Sequence, residues 1–214
     1  LLSQSSDSSR LELLIKSANN YNSSNANLSI EYAKIAINLA EKLNKPHIKI
    51  LAEVIIAKAF FYTGDYTKSI ESLKESETQT HSIKDSSNLI EIYQTFSLVY
   101  TKIGDFKKAL EYSQNAFSLA GKLNQKDKLA DLVRETGNIY FTFGESAIAL
   151  DFYKKSLAIC KANNDQIGMS KAYNNIGCIY SELGQYSSAI DFLNRSLEIK
   201  NRVDNKLGVA LILL

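Results

Sequence analysis

Arg134 and Asn138 stand four residues apart, and Asn174 lies 40 residues beyond Arg134 with Asn175 beside it. In a helix, a four-residue step puts Arg134 and Asn138 on one face, and the 40-residue shift puts Asn174 and Asn175 on the matching face of the next. An asparagine amide offers a donor and an acceptor together, which suits a main-chain peptide unit, whereas a guanidinium offers a fork that suits a carboxylate. This is chemistry for holding a chain, and the alternative reading of the four residues is a solvated polar face. Residues that would argue for catalysis are scattered. His47 and His81 fall in connections, and no carboxylate or cysteine spacing makes a metal set or a triad. The nine glycines are spread through the chain instead of gathering into a phosphate loop. No cofactor is implied, and an enzyme is not expected.

The elements that would position these side chains are set by a repeat. Gly64, Gly104, Gly144 and Gly184 are 40 residues apart, without insertion or deletion. Four residues before each is an aromatic (Phe60, Tyr100, Tyr140, Tyr180), and six after each is an aliphatic (Ile70, Leu110, Leu150, Ile190). A fixed period of this size, with glycine between two apolar stretches, reads as helix, turn, helix, stacked into an array.

Composition agrees with such an array. Apolar residues make up 45% of the chain and aromatics 10%, enough for a continuous core with Tyr and Phe in place of the absent Trp. Lys plus Arg exceed Asp plus Glu by only two (25 against 23) and the signs are interspersed, so nucleic acid is not an expected partner. Cys160 ends one helix and Cys178 lies about two turns into the next, too far apart for a disulfide, so both are expected as free thiols. The compartment, cytoplasmic or periplasmic, stays open. No apolar run approaches the roughly 20 residues that a bilayer needs. There is no initiator Met and no signal peptide, and residues 1–6 look like a trimmed or mature start. Residues 209–214 stop inside what should be a helix, so the chain is expected to be a piece of something longer. The uncovered apolar side chains of Leu211, Ile212, Leu213 and Leu214 then predict weak self-association through this end.

Taken in order, residues 1–8 are polar and expected to fray, and Leu11, Leu13, Leu14, Ile15 and Ala18 give a short apolar face. The turn-rich stretch 19–25 interrupts it before a clearer amphipathic helix through Ile30, Ala33, Ile37, Ala40 and Leu43. Sliding the 40-residue frame back puts Ser24 in the glycine slot and Ala36 in a small-residue slot, a degenerate first pair as a terminal cap would be. Pro46 suits the first turn of the next helix. The spacing predicts helix pairs over about 8–44, 46–83, 86–124, 126–164 and 166–203, with a partial sixth over 206–214, all in one solenoid. Asn44, Asn124, Asn164 and Asp204 recur as turns between pairs, and the polar connection 78–88 is expected to be the most mobile junction.

These residues resemble the tetratricopeptide repeat (TPR) family over nearly the whole chain. The family's small residue in the first helix matches Ala57, Ser97, Gly137 and Gly177, and its aromatic three residues later matches Phe60, Tyr100, Tyr140 and Tyr180. The turn glycine follows, and the alanine of the second helix matches Ala109, Ala149 and Ala189, with Ser69 in the second pair. The period of 40 exceeds the family's usual one, and the proline that commonly closes a repeat is missing. The resemblance implies an all-α, right-handed solenoid of about five helix-turn-helix pairs plus a truncated sixth.

It also implies a non-catalytic scaffold that binds a protein or an extended peptide along the concave wall of first helices. On this chain that wall would carry Leu51, Val54, Lys58 and Phe61; Glu91, Gln94, Leu98 and Lys102; Asp131, Arg134, Glu135, Asn138 and Phe141; and Lys171, Asn174, Asn175, Cys178 and Glu182. Its charges nearly cancel, so no electrostatic preference is readable. Arg134, Asn138, Asn174 and Asn175 look like part of the carboxylate clamp of chaperone-binding TPR proteins, but Leu211 stands where the third clamp helix would carry a Lys. A second resemblance starts at residues 7–14 and continues from Ile30 to Asn44. It is similar to the start of TPR regions in bacterial sensor histidine kinases and related regulators, where the array precedes a membrane span and an output domain. It implies a recognition region within a larger signalling protein.

Overall fold

In a computed structural model of the protein, residues 2–83, 86 and 88–212 are described, with side chains described from residue 7 to residue 203. The described residues form ten helices and no strand. They are α1 (Leu2–Tyr21), α2 (Ala26–Lys42), α3 (Pro46–Tyr62), α4 (Tyr66–Ser82), α5 (Leu89–Ile103), α6 (Phe106–Lys122), α7 (Lys126–Thr142), α8 (Ser146–Ala162), α9 (Gln166–Glu182) and α10 (Tyr186–Ile212). The fold is an all-α repeat solenoid. Its contacts separate two compact units, Leu1–Ala116 and Phe117–Leu214.

One local device breaks the chain into helices of 15 to 20 residues from α1 to α9. Gly64, Gly104, Gly144 and Gly184 have φ between 72° and 86°, and Asn44, Asn124 and Asn164 have φ of 52° to 56°. Left-handed residues therefore recur on a 20-residue beat, glycine within pairs and asparagine between them. The N–H after each bonds the carbonyl five residues back, as from Asp65 to Phe60 and from Asp165 to Cys160, both at 2.9 Å. This closes the helix end, and only residues that tolerate positive φ allow it. The next helix is capped in turn: the carboxylates of Asp65, Asp105 and Asp165 each accept the N–H three residues on.

Two boundaries differ from expectation. Helix α1 begins at Leu2, so the expected frayed segment 1–8 is helical from its second residue. Helix α10 continues to Ile212, so no turn forms at Asp204 and no separate sixth pair begins at 206. Asparagine and glycine fill the left-handed slot elsewhere; Asp204, whose carboxylate suits the start of a helix better than its end, does not stop this one. The side chains of Leu211 and Ile212, and all of Leu213 and Leu214, lie outside the described residues, as does part of the junction 78–88.

Each unit has its own core. In the first, Leu11, Ala18, Ala33, Ala36, Ala40, Ala52 and Ile55 cluster across α1, α2 and α3, so the degenerate first pair packs like the others. In the second, Tyr153, Leu157, Tyr173, Ile176, Ile179 and Ile199 cluster across α8, α9 and α10. Three of the four repeat aromatics stack on a second-helix ring twelve residues on: Tyr100 on Tyr112, Tyr140 on Phe152 and Tyr180 on Phe192, with centroids 5.3 to 5.5 Å apart. Where the alanine slot holds Ser69, its hydroxyl is buried and donates to the Ala57 carbonyl at 2.7 Å.

Candidate functional site

The second unit gathers most of the polar side chains singled out by spacing. On α7, Asp131, Arg134 and Asn138 follow one another at one-turn intervals, and α9 brings Lys171, Asn174, Asn175 and Cys178. Two links join the helices. Nδ2 of Asn175 donates to Oδ1 of Asn138 at 2.9 Å, and the Lys171 ammonium lies 3.6 Å from the Asp131 carboxylate. From α8, the Tyr153 hydroxyl donates to the same Oδ1 of Asn138 at 2.9 Å. Tyr153 is 2% exposed, and burial pushes its phenol up to about 12. It stays a donor at any ordinary pH.

Arg134 is engaged inside the protein. Its Nη2 and Nε reach Oδ1 of Asp131 at 2.8 and 3.2 Å, and its side chain is only 15% exposed. Burial works to raise the Asp131 carboxyl, but Arg134 and Lys171 outweigh it and hold the group below the usual carboxylate range. Asn174 and Cys178 are exposed one turn apart, with Nδ2 and Sγ at 3.9 Å. Phe141 is half-buried and packs against the core of α8 to α10.

In the first unit the placement is different. Phe61 is buried, edge-on to Tyr62 at 5.1 Å, and Val54 is fully buried. Neither offers a surface to a partner, which corrects their expected place on the concave wall: a first helix in the middle of a stack presents most of its girth to neighbours. Lys58 is ion-paired with Glu91 across α3 and α5. Gln94 is half-buried and Lys102 exposed on α5. Here an apolar pit of about 360 Å³ opens, floored by Ile15, Ile48, Leu51 and Ile55 with Glu12 and Lys16 at its rim. Spacing did not single out this pit or Tyr153. For Tyr153 a signal existed, since its frame-mates are Ala33, Leu73, Ser113 and Leu193, and a lone phenol among them marks a local departure. Among the described residues no cluster of His, Cys, Asp or Glu could hold a metal, and no helix is long and apolar enough to cross a membrane.

Against known proteins, a family model described as "SusR N-terminal TPR domain" matches residues 1–146, and one described as "Tetratricopeptide repeat" matches residues 126–202. The chain belongs to the tetratricopeptide repeat family. No curated protein sequence matches it. Solved structures share the TPR fold at low identity. BtubC from P. vanneervenii is 17% identical, with 94% of this chain and 91% of that one covered and a TM-score of 0.66. A Rap protein complexed with competence and sporulation factor is 17% identical, with 92% and 65% covered and a TM-score of 0.68. A signal transduction ATPase with numerous domains from Pyrococcus horikoshii, which carries a tetratricopeptide repeat sensor, is 16% identical, with a TM-score of 0.69. This TPR chain aligns over 93% of its own length but spans only 32% of that ATPase.

Proposed function

We propose that this TPR chain is an interaction module that takes an extended peptide segment of a partner protein across α7 and α9, with Asn138 and Asn175 contacting the peptide main chain. The observation that carries this reading is the amide pair itself, two asparagines from successive first helices meeting at 2.9 Å with a buried tyrosine beneath them. Asn174, Lys171 and Phe141 border the pair. Arg134 is spent on Asp131, which favours an internal stretch of peptide over a terminal carboxylate. Gln94 and Lys102 on the first unit are proposed as further partner contacts, whereas Lys58, expected there by spacing, is engaged by Glu91 as Arg134 is by Asp131. Panning a random peptide library against the protein and titrating the best binder calorimetrically tests the reading. Asn138→Ala and Asn175→Ala should each weaken binding about 5- to 100-fold, the range of one hydrogen bond lost from a desolvated partner. Unchanged affinity in both variants would remove it.

A second reading makes the same module the recognition region of a larger signalling protein. The SusR N-terminal domain match and the ATPase with a TPR sensor favour it. Reading the encoding gene past the codon for Leu214 tests this: a membrane span and an output domain support it, and a further repeat followed by a stop supports the free-standing scaffold.

A further inference from the structure

Oδ1 of Asn138 accepts from the Tyr153 hydroxyl and from Nδ2 of Asn175, each at 2.9 Å. An amide oxygen has two lone pairs, so this one is full. In this arrangement Asn138 and Asn175 meet donor to acceptor, and turning Asn138 over alone would set its Nδ2 against the Nδ2 of Asn175, donor against donor. Two groups are left over. On α7 the Nδ2 of Asn138 still offers a donor, and on α9 the Oδ1 of Asn175 still offers an acceptor. Thr142 takes only the main-chain carbonyl of Asn138 and leaves the side chain as it is.

This leftover pair has a polarity. In an extended chain the N–H and C=O of one residue point to the same side, the N–H nearer the N-terminus. A residue lying over the pair satisfies both groups only when its N–H meets Asn175 and its C=O meets Asn138. We infer that the groove seats its peptide in one direction, N-terminal part over α9 and C-terminal part over α7, with a residue that is not proline at the Asn138–Asn175 pair. The inference rests on the peptide-binding reading above and adds the chain direction and the need for a free N–H. Tyr153 is a positioning residue here: its hydroxyl occupies the oxygen of Asn138 and so turns the amide's donors outward.

The probe is the tightest linear binder from a random peptide library, resynthesised with each amide replaced in turn by an ester. One replacement should weaken binding to the wild-type protein about tenfold, and by no more than about twofold in Asn175→Ala, whose acceptor is gone. Benzophenone at the N-terminus of the binder should crosslink to α9, and at its C-terminus to α7. This mapping uses the wild-type protein, so it decides the direction even where Asn175→Ala fails to fold. Reversed crosslinks, or an ester penalty that is the same in both proteins, overturn the inference while leaving a peptide groove in place. A library that yields no binder removes both.

Discussion

Leu193 on α10 closes over Gly177 on α9 so tightly that a Cβ on the glycine would stand 2.8 Å from Cγ of Leu193. Gly137 on α7 is covered in the same way by the Tyr153 ring, at 2.7 Å. The two contacts differ in what can yield, since Leu193 is 36% exposed and Tyr153 only 2%. Gly177→Ala should cost less than Gly137→Ala, because Leu193 can swing aside and alanine gains about 1 kcal/mol of helix propensity, although the Ala189 carbonyl at 3.3 Å cannot yield. Gly137→Ala should lose about 1–3 kcal/mol by overpacking a ring with no free volume, and Gly177→Leu should lose a similar amount. Urea midpoints of the three variants check this. Equal midpoints for the two alanine variants would contradict the packing argument.

Glu53 on α3 is a liability at neutral pH. One of its carboxylate oxygens is buried without a hydrogen-bond partner, and burial raises its pKa despite the opposing pull of Lys49 and Gln79. A carboxyl that titrates higher in the folded state than in the unfolded chain favours folding at low pH. That advantage disappears as pH rises through the ordinary glutamate value, near 4.3, and on through the folded one. Glu53→Gln should therefore raise the Tm at pH 7, by the equivalent of less than about 1 kcal/mol, and leave it unchanged near pH 3. Melts at the two pH values decide the point.

Asp131 behaves in the opposite sense. Its carboxyl is held low by Arg134 and Lys171 against the effect of burial, so its contribution to stability is complete above the ordinary aspartate value, near 3.9. It is lost as pH falls through the lower folded value. Asp131→Asn should destabilise at pH 7, while wild type and variant converge in melts carried well below pH 4.

Tyr153→Phe should separate the lock from the fold. Asn138 keeps one donor on its Oδ1, from Asn175, so stability should fall by about 0.5–1.5 kcal/mol, one hydrogen bond. Affinity for a selected peptide should fall as well, because the Asn138 amide then loses one of the two contacts that hold its oxygen inward. Retained affinity beside a lowered Tm would assign Tyr153 to packing alone.

The left-handed asparagines can be tested directly. Asn164 sits at φ 56°, where glycine is unstrained and a side chain without a polar tip is penalised. Asn164→Ala should cost about 1 kcal/mol, and Asn164→Gly should be neutral or slightly stabilising. Thermal melts of both variants measure the difference.

The helix breaks were legible in the chain because a positive φ is a property of single residues. Gly64, Gly104, Gly144 and Gly184 marked the turns within pairs, and Asn44, Asn124 and Asn164 those between them. The stacking aromatics and the small slots at Gly137 and Gly177 followed from the same frame, since the same spacing brings the same positions together in successive pairs. Tertiary structure decided what spacing could not. Phe61 and Phe141 share a frame position one helix face wide, yet one is buried among its neighbours and the other only half so, because burial depends on what the adjacent helices bring. Arg134 was equally able to reach a partner or Asp131 until the side chains were placed. Asp204 occupied a turn slot by frame, but carries neither the amide nor the missing Cβ that stops a helix there, and α10 runs on. Tyr153 became part of the candidate site only when α8 set its hydroxyl against Asn138 on the neighbouring helix α7, a contact that the frame marked only as a lone phenol out of pattern.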